Sequence, residues 1–266
     1  MNPLNIEKIS ELMREAGAFQ LKHFRSVDAT VVDMKAARET VSFVDVETES
    51  MLYDGLNDIL PEAGFFGEET GKSGNQNLMW VVDPLDGTTN FLSGSDHFSI
   101  SVSLVSDGMP VFGAVYRPYT GEIISAELGK GVRLNDQVVA VQFPDVTVKD
   151  ALFVTGFPYR SEDISDAFFR AAPRILRLGR GIRRTGSAAL DLAHLGCGFY
   201  QGFWESDLQP YDVAAALVMM SENNLVVTNH RGEPYNMFKD RILVAGFRGV
   251  HEPLLEVVRD CYETDL

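Results

Sequence analysis

Apolar residues at the start of the chain recur every three to five positions: Ile6, Ile9, Leu12 or Met13, Ala16, Phe19 and Phe24, with charged residues between them. That period predicts an amphipathic helix over 6–24. A second helix is predicted over 42–60, opened by a capping-box pattern at Ser42-Phe-Val-Asp45 and followed by Pro61. The pattern then changes to short apolar runs between turn residues. These predict strands at 78–82, 98–105 and 111–116, then at 121–126 and 131–141. Farther on, strands are predicted at 151–155, 198–204, 225–228 and 242–245, and helices at 165–176, 187–195, 211–221 and 252–262. Strands mix with helices without strict βαβ alternation, which favours an α+β class of layered sheets and helices. A division is placed near residue 145, into an N-terminal α+β half (1–145) and a C-terminal α/β half (146–266) interlocked as one unit; Pro144 is the only local punctuation.

Composition narrows the function classes. With 45% hydrophobic and 10% aromatic residues, 266 residues can bury a full core. Lys+Arg 23 against Asp+Glu 38 gives 23 − 38 = −15. That balance argues against general nucleic-acid binding and against adhesion to an anionic membrane. It should also repel phosphate esters, unless bound cations reverse the local sign. Cys197 and Cys261 stand far apart and outside any CxxC spacing, so two inert thiols in a reducing compartment are expected. The first residues carry an acid early and read as a helix start, and no run approaches the roughly 18 apolar residues of a membrane span. A soluble, cytoplasmic protein is expected.

The strongest chemical signal is Trp80-Val-Val-Asp83-Pro-Leu-Asp86-Gly-Thr-Thr-Asn-Phe91. An apolar strand runs into Asp83, Pro84 breaks it, and Asp86-Gly87-Thr88 turns the chain toward a helix start. Two carboxylates at a strand end can converge on one hard cation, and Gly87 lets backbone N–H groups approach an anion. An isolated Asp-Gly is usually only a turn; the twelve-residue string is far more specific. Gly67-Glu68-Glu69-Thr70-Gly71 places Glu68 where a strand meets a loop, a position that a solvated acidic turn would equally explain. In Phe203-Trp-Glu205-Ser-Asp-Leu-Gln-Pro-Tyr-Asp212-Val-Ala-Ala-Ala, Asp212 can serve as a helix cap, while the small residues after it allow close helix packing. The five histidines show no ligand spacing, Tyr200, Phe203 and Trp204 read as core, and Arg174 to Arg184 form a local basic patch suited to solvent or a subunit face.

These segments, in this order, resemble the inositol monophosphatase family of lithium-sensitive, magnesium-dependent sugar phosphatases. The resemblance also takes in Lys35, Asp45 and Arg184-Thr-Gly186-Ser-Ala-Ala189, and so spans nearly the whole chain. It implies an αβαβα layered sandwich and a homodimer acting on a small-molecule phosphate monoester. By the resemblance, Glu68, Asp83, Asp86, Asp212 and the Leu85 carbonyl hold two or three Mg²⁺ ions. Gly87 and Thr88 would present N–H groups to the phosphate, and Thr88, paired with Asp45, would orient the attacking water near Glu68. Gly186, Ser187, Ala188, Glu205 and Asp212 would contact the substrate. The sequence departs from the family pattern at Tyr211, often Trp, and at Ser221-Glu-Asn-Asn224, expected to alter only a helix end. All-oxygen ligation suits Mg²⁺.

The expected activity is hydrolysis of myo-inositol monophosphate, with histidinol phosphate, a sugar bisphosphate or a nucleotide 3′-phosphate as alternatives. A haloacid-dehalogenase-type phosphatase is disfavoured, because Leu85 occupies the place of its nucleophilic Asp. From another class, the chain could be a phosphatase-fold protein that acts mainly as a binding partner.

Overall fold

Helix α1 (Ile6–His23) buries the predicted stripe, with Ile9, Met13 and Ala16 fully enclosed and Asn5 Oδ1 accepting from Lys8 N at 3.1 Å as its N-cap. Helix α2 (Phe43–Ile59) starts with the predicted capping box between Ser42 and Asp45. Both helices lie on one face of an eight-stranded sheet. The computed structural model describes residues 4–26, 33–36, 39–141 and 145–263; the side chain of Lys35, and Pro144, lie outside the described residues. Between the first two helices, β1 (Asp33–Ala36) and β2 (Glu39–Val41) pair antiparallel, a hairpin the apolar pattern does not announce.

The large sheet comprises β3 (Gly64–Gly67), β4 (Gly71–Ser73), β5 (Leu78–Asp86), β6 (Ser99–Ser106), β7 (Met109–Arg117), β8 (Glu122–Glu127), β9 (Val132–Leu134) and β10 (Gln137–Val138). Its order is β10-β9-β8-β7-β6-β5-β3-β4, antiparallel throughout except between β3 and β5. The single strand predicted over 131–141 is instead a hairpin, because Asn135 and Asp136 take left-handed backbone (φ 48 and 66) and reverse the chain.

A second sheet of five strands, β11 (Leu152–Thr155), β12 (Gly181–Arg183), β13 (Gly202–Ser206), β14 (Val226–Thr228) and β15 (Ile242–Gly246), runs in the order β12-β11-β13-β15-β14. A short helix α3 (Thr88–Leu92) follows β5, and the other helices are α4 (Ser165–Leu178), α5 (Ala188–Gly196), α6 (Pro210–Glu222) and α7 (Arg248–Tyr262). α5 and α6 lie between the sheets, and α4 with α7 covers the far face of the smaller one. The layers are therefore helix, sheet, helix, sheet, helix, as expected.

The middle layer explains the small residues of α6. Val213-Ala-Ala-Ala216 is wholly buried between the two sheets, and a Cβ built on Gly113 of β7 would lie 2.1 Å from Ala215 O. Backbone meets backbone there. Helix α7 begins at Arg248, not at 252, because Val250 N and His251 N both bond Phe247 O at 2.8 Å and form the first turn. The segment at 221–224 does more than end a helix. Glu222 accepts from Gly129 N and Gly131 N, each at 2.7 Å, and Asn223 Nδ2 donates to Gly196 O at 2.7 Å, so it ties α6 to the turn before β9 and to α5. Both cysteines are buried and free, and burial pushes the Cys197 thiol up to about 12. Among the described residues, no helix is long and apolar enough to cross a membrane.

Candidate active site

Successive side chains of a strand point to opposite faces, so Asp83 and Asp86, three residues apart, would ordinarily diverge. Here β5 carries one extra residue. Asp83 pairs with Ser101 and Asp86 with Ser99, so three steps on β5 match two on β6. That bulge turns both carboxylates to the same side. Pro84, unable to donate to a ladder, sits within it, and its carbonyl accepts from the buried Gln20 Nε2 at 2.7 Å. Leu85 N donates to Asp83 Oδ1 at 3.0 Å. Gly87 then takes φ 93 and opens α3; a Cβ there would crowd Gly186 O and His97 O at 3.1 Å.

Two further segments meet this corner. Glu68 follows β3 directly, its N–H on Val82 O at 3.2 Å, which places it beside Asp83. The loop is fixed by buried Glu49 of α2, which accepts from Glu69 N and Thr70 N, both at 2.9 Å. Asp212 arrives on the first turn of α6. The N-cap is Gln209 with Pro210 after it, and Asp212 is the third helical residue, its Oδ2 accepting from Gln209 N at 2.7 Å. It thus completes a capping box and is not the cap itself. One oxygen each from Asp83, Asp86 and Asp212 lies within 4.8 Å of the others.

Such crowding changes the acids. Burial, then the charges of Glu68, Asp86 and Asp212, raise the Asp83 carboxyl well above its ordinary range, and it hydrogen-bonds Glu68. Burial, then Asp212, pushes Asp86 up to about 7. Burial raises Asp212 as well, opposed by Arg160. Like charges this close resist joint ionisation unless a cation compensates. The hard oxygen donors suit Mg²⁺ in chemistry, so the cluster fits the ion that the sequence implied.

The cluster floors a cleft lined by seven carboxylates: Glu68, Asp83, Asp86, Asp191, Glu205, Asp207 and Asp212. Every residue anticipated for the site lines it except Asp45, which stands one bond behind. Thr88 Oγ1 lies 3.0 Å from both Asp45 Oδ1 and Leu85 O, while Asp45 Oδ2 accepts from Ser42 N and Ser42 Oγ at 2.9 and 2.6 Å. Burial raises the Asp45 carboxyl against these hydrogen bonds. Ser187 is spoken for: its hydroxyl donates to Asp86 Oδ2 at 2.5 Å beside Ser99 Oγ at 3.0 Å, and Ala189 N donates to the same Asp86 oxygen at 2.8 Å. Asp86 therefore also caps α5. Glu205 is enclosed against Gly156, whose missing Cβ makes room, and burial raises its carboxyl well above the ordinary range.

Asp191, Glu49 and Arg160 escaped the sequence pattern, whereas Asn90 belongs to the 80–91 string. Asp191 accepts from Thr185 Oγ1, and Asn90 Nδ2 donates to Thr185 O and His97 O at 2.9 and 2.6 Å, which joins the Gly186 turn to α3. Glu49 holds the Glu68 loop, and Arg160 reaches Asp212. Only Glu49 had a local signal, one helical turn after Asp45. In the basic run at 174–184, Arg174 pairs with Asp260 and Arg180 with Asp150, both exposed, and Arg184 lies over the Phe157 and Tyr159 rings. A larger second cleft, bordered by Val138 and Phe199, lacks any comparable carboxylate cluster among the described residues.

Known proteins resemble this chain in sequence and in fold. The chain is 32% identical over 250 residues to Nus factor SuhB of Xylella fastidiosa, covering 92% of this chain and 90% of that one. It is 30% identical over 252 residues to inositol-1-monophosphatase of Caulobacter vibrioides, covering 94% and 98%. Among solved structures, an IMPase of Thermotoga maritima superposes with a TM-score of 0.88 at 28% identity, covering 100% of both chains. The model of the inositol monophosphatase family matches residues 5–263, and the chain belongs to that family.

Proposed function

We propose that this protein hydrolyses a small phosphate monoester, first of all myo-inositol monophosphate, with Mg²⁺ held by Glu68, Asp83, Asp86, Asp212 and the Leu85 carbonyl. The observation that supports this reading is the meeting of Asp83, Asp86 and Asp212 at the cleft floor, one oxygen of each within 4.8 Å of the others, although Asp86 and Asp212 also accept from backbone N–H groups at the starts of α5 and α6. When bound, the ions neutralise phosphoryl charge and lower the pKa of a water. The protein's own groups do the positioning. The Thr88 hydroxyl has one hydrogen, engaged by Asp45 or by Leu85 O, so its lone pairs remain to accept from a water and aim it. Gly87 and Thr88 present backbone N–H groups to the phosphate. Ser187 and Ala189 hold Asp86 in place, and Gly186, Ala188 and Glu205 border the alcohol portion. Phosphoryl transfer needs little more than position and charge, so no protein nucleophile is required.

Phosphate release from a panel of esters tests the reading: turnover should require Mg²⁺ and vanish in excess chelator. Full turnover with chelator present, or restoration by zinc alone, would remove the metal assignment. Relatives named Nus factor motivate a second reading, in which a partner-binding face carries the function. Absence of turnover on every ester, with Mg²⁺ binding intact, would favour it.

Glu205 is the residue proposed to choose among esters. Its half-buried carboxyl lines the cleft and can accept from hydroxyls, or from an ammonium on the leaving alcohol whose charge would hold it ionised. Glu205→Gln should weaken kcat/KM for the preferred ester about tenfold to a hundredfold, the loss of one charge-assisted hydrogen bond of roughly 1.5–3 kcal/mol. It should also reorder the esters while Mg²⁺ dependence stays. An unchanged ranking would place selectivity elsewhere.

A further inference from the structure

The connection from β13 to α6 links two residues of the proposed site, Glu205 near the end of the strand and Asp212 on the first turn of the helix. Between them the chain takes an unusual conformation. Asp207 lines the cleft with left-handed backbone, φ 54, a region that residues with a side chain seldom occupy. Such a backbone persists where its surroundings over-determine it. The surroundings here converge on one arginine. Arg241, the residue before β15, meets the Asp207 carboxylate with two hydrogen bonds, Nε to Oδ1 at 2.8 Å and Nη2 to Oδ2 at 2.7 Å, while its carbonyl accepts from Asp207 N at 2.6 Å. Two parallel N–H groups on one carboxylate fix orientation as well as distance. The buried Ser161 Oγ donates to Asp207 Oδ2 and accepts from Ser206 Oγ at 3.1 Å. The guanidinium also takes Asp163, with Nη1 to Oδ2 at 2.8 Å and Nη2 to Oδ1 at 3.1 Å. That second acid is 60% exposed against 18% for Asp207, so water screens it and the Asp207 side of the fork is the stronger.

We infer that Arg241 is a positioning residue: through Asp207 and Ser161 it joins the β13–α6 turn to the loop after β11, and so sets the wall of the cleft against which the alcohol portion of the ester lies. The inference rests on the phosphatase reading above. Both segments face the cleft, the turn with Ser206, Asp207 and Leu208 and the loop with Phe157 and Tyr159. Arg241 does not line it, and so acts only through the groups it holds. The metal corner is anchored by other means. Asp83 and Asp86 are set by the β5 bulge, and Asp212 by its capping box with Gln209 and by the buried body of α6. Glu205 stays in the sheet, paired with Leu243 of β15. Releasing the fork therefore loosens one wall and leaves the proposed ligands and the Glu205 carboxyl where they are. Contacts between that wall and the alcohol are alike in the bound ester and in the transition state, so their loss appears in KM and not in kcat.

Steady-state kinetics in saturating Mg²⁺ tests this, with the ester of the panel that the wild type prefers, myo-inositol monophosphate by the reading above, and with methyl phosphate, whose alcohol is too small to reach the wall. Arg241→Gln should raise KM for the preferred ester about tenfold, with kcat within about twofold of the wild type. Its KM for methyl phosphate, and the Mg²⁺ concentration giving half the maximal rate, should not move. Arg241→Lys keeps the charge without the fork and should raise KM nearly as much. Asp163→Asn, which breaks only the exposed pair of the same arginine, should leave KM alone. The double variant Arg241→Gln/Asp207→Asn should be no worse than Arg241→Gln, because both changes break one link. If Arg241→Gln does not fold, Arg241→Lys and Asp207→Asn, singly and together, carry the same comparison. Unchanged KM with only a lower melting temperature reduces Arg241 to a stabilising ion pair and overturns the role. A fall in kcat at unchanged KM overturns it too, as do an equal rise in KM for methyl phosphate and effects that multiply in the double variant. A wild type that hydrolyses no ester of the panel overturns the phosphatase reading and this role with it, whereas turnover with a KM indifferent to Arg241 overturns this role alone.

Discussion

Asp86→Asn should lower kcat for ester hydrolysis about a thousandfold or more and, in chelator, melt above the wild type. The first effect follows from removing one charge from an ion-binding site whose ion is asked for several kcal/mol of transition-state stabilisation; about 4 kcal/mol corresponds to a thousandfold. The fold should persist, because an amide oxygen can still accept from Ser187 Oγ and Ala189 N, the two donors that now hold the Asp86 carboxylate. The second effect comes from the metal-free protein. Burial and then the neighbouring Asp212 push the Asp86 carboxyl from an ordinary 3.8 up to about 7. A carboxyl raised on folding holds its proton more tightly in the native state. Metal-free stability is therefore lost as pH climbs from about 4 to about 7, and an amide at this position escapes that loss. The advantage of Asp86→Asn in chelator should thus be largest at pH 8 and gone near pH 4. With Mg²⁺ the order should reverse, since the ion stabilises only a native state that binds it. Thermal melts across pH, with and without Mg²⁺, read both signs. A variant that kept most of its turnover would reduce Asp86 to the cap of α5.

The same residue shows what a single sequence discloses. Asp83 and Asp86 could be read as convergent because Pro84 and Gly87 mark a strand that breaks and turns, and the bulge is the local means by which it does so. Helices α1, α2 and α6 were legible for similarly local reasons: an apolar stripe, a Ser42–Asp45 capping box, and a run of alanines after Asp212. Strand β12 was not, since Gly181-Ile-Arg183 is three residues long and gains its identity only by pairing with β11. The site divides in the same way. Carboxylates embedded in a specific string announced themselves, whereas Arg160 and Asp191 acquire their places through contacts across the fold. Arg160 meets Asp212 at a separation of 52 residues, and Asn90 meets Thr185 at 95. The resemblance implies that Ser187 contacts the substrate; it lines the cleft, and its hydroxyl donates to Asp86, a placement that depends on where β5 and α5 meet.

Gly113→Ala should be among the most damaging single-methyl changes in the protein, although the residue touches no part of the cleft. Gly113 lies in β7, paired with Ser103 on one side and Ala126 on the other, where α6 crosses the sheet. A Cβ there would stand 2.1 Å from Ala215 O, 2.5 Å from its Cα and 2.6 Å from its carbonyl carbon. All three atoms belong to the helix backbone, so no side-chain rotation relieves the clash and α6 must move as a body. Gly17 offers a contrast: the three nearest atoms to its added Cβ all belong to side chains, Tyr116 Cε1 at 2.5 Å and Pro118 Cβ and Cγ at 3.1 Å. Overpacking of this kind costs about 3 kcal/mol, the upper end of the usual range, when backbone must yield. In a protein of this size that is a fall of roughly 6–12 °C in melting temperature. The displacement has a second consequence. α6 carries Asp212 on its first turn, so a helix lifted from β7 draws one carboxylate away from Asp83 and Asp86. Mg²⁺ affinity, measured by calorimetry below the melting range, should therefore weaken along with stability. Gly17→Ala should leave Mg²⁺ binding alone. A Gly113→Ala protein that melts within about 2 °C of the wild type and binds Mg²⁺ equally well would show that the α6 layer can slide over the sheet, and that the site does not depend on the closeness of this packing.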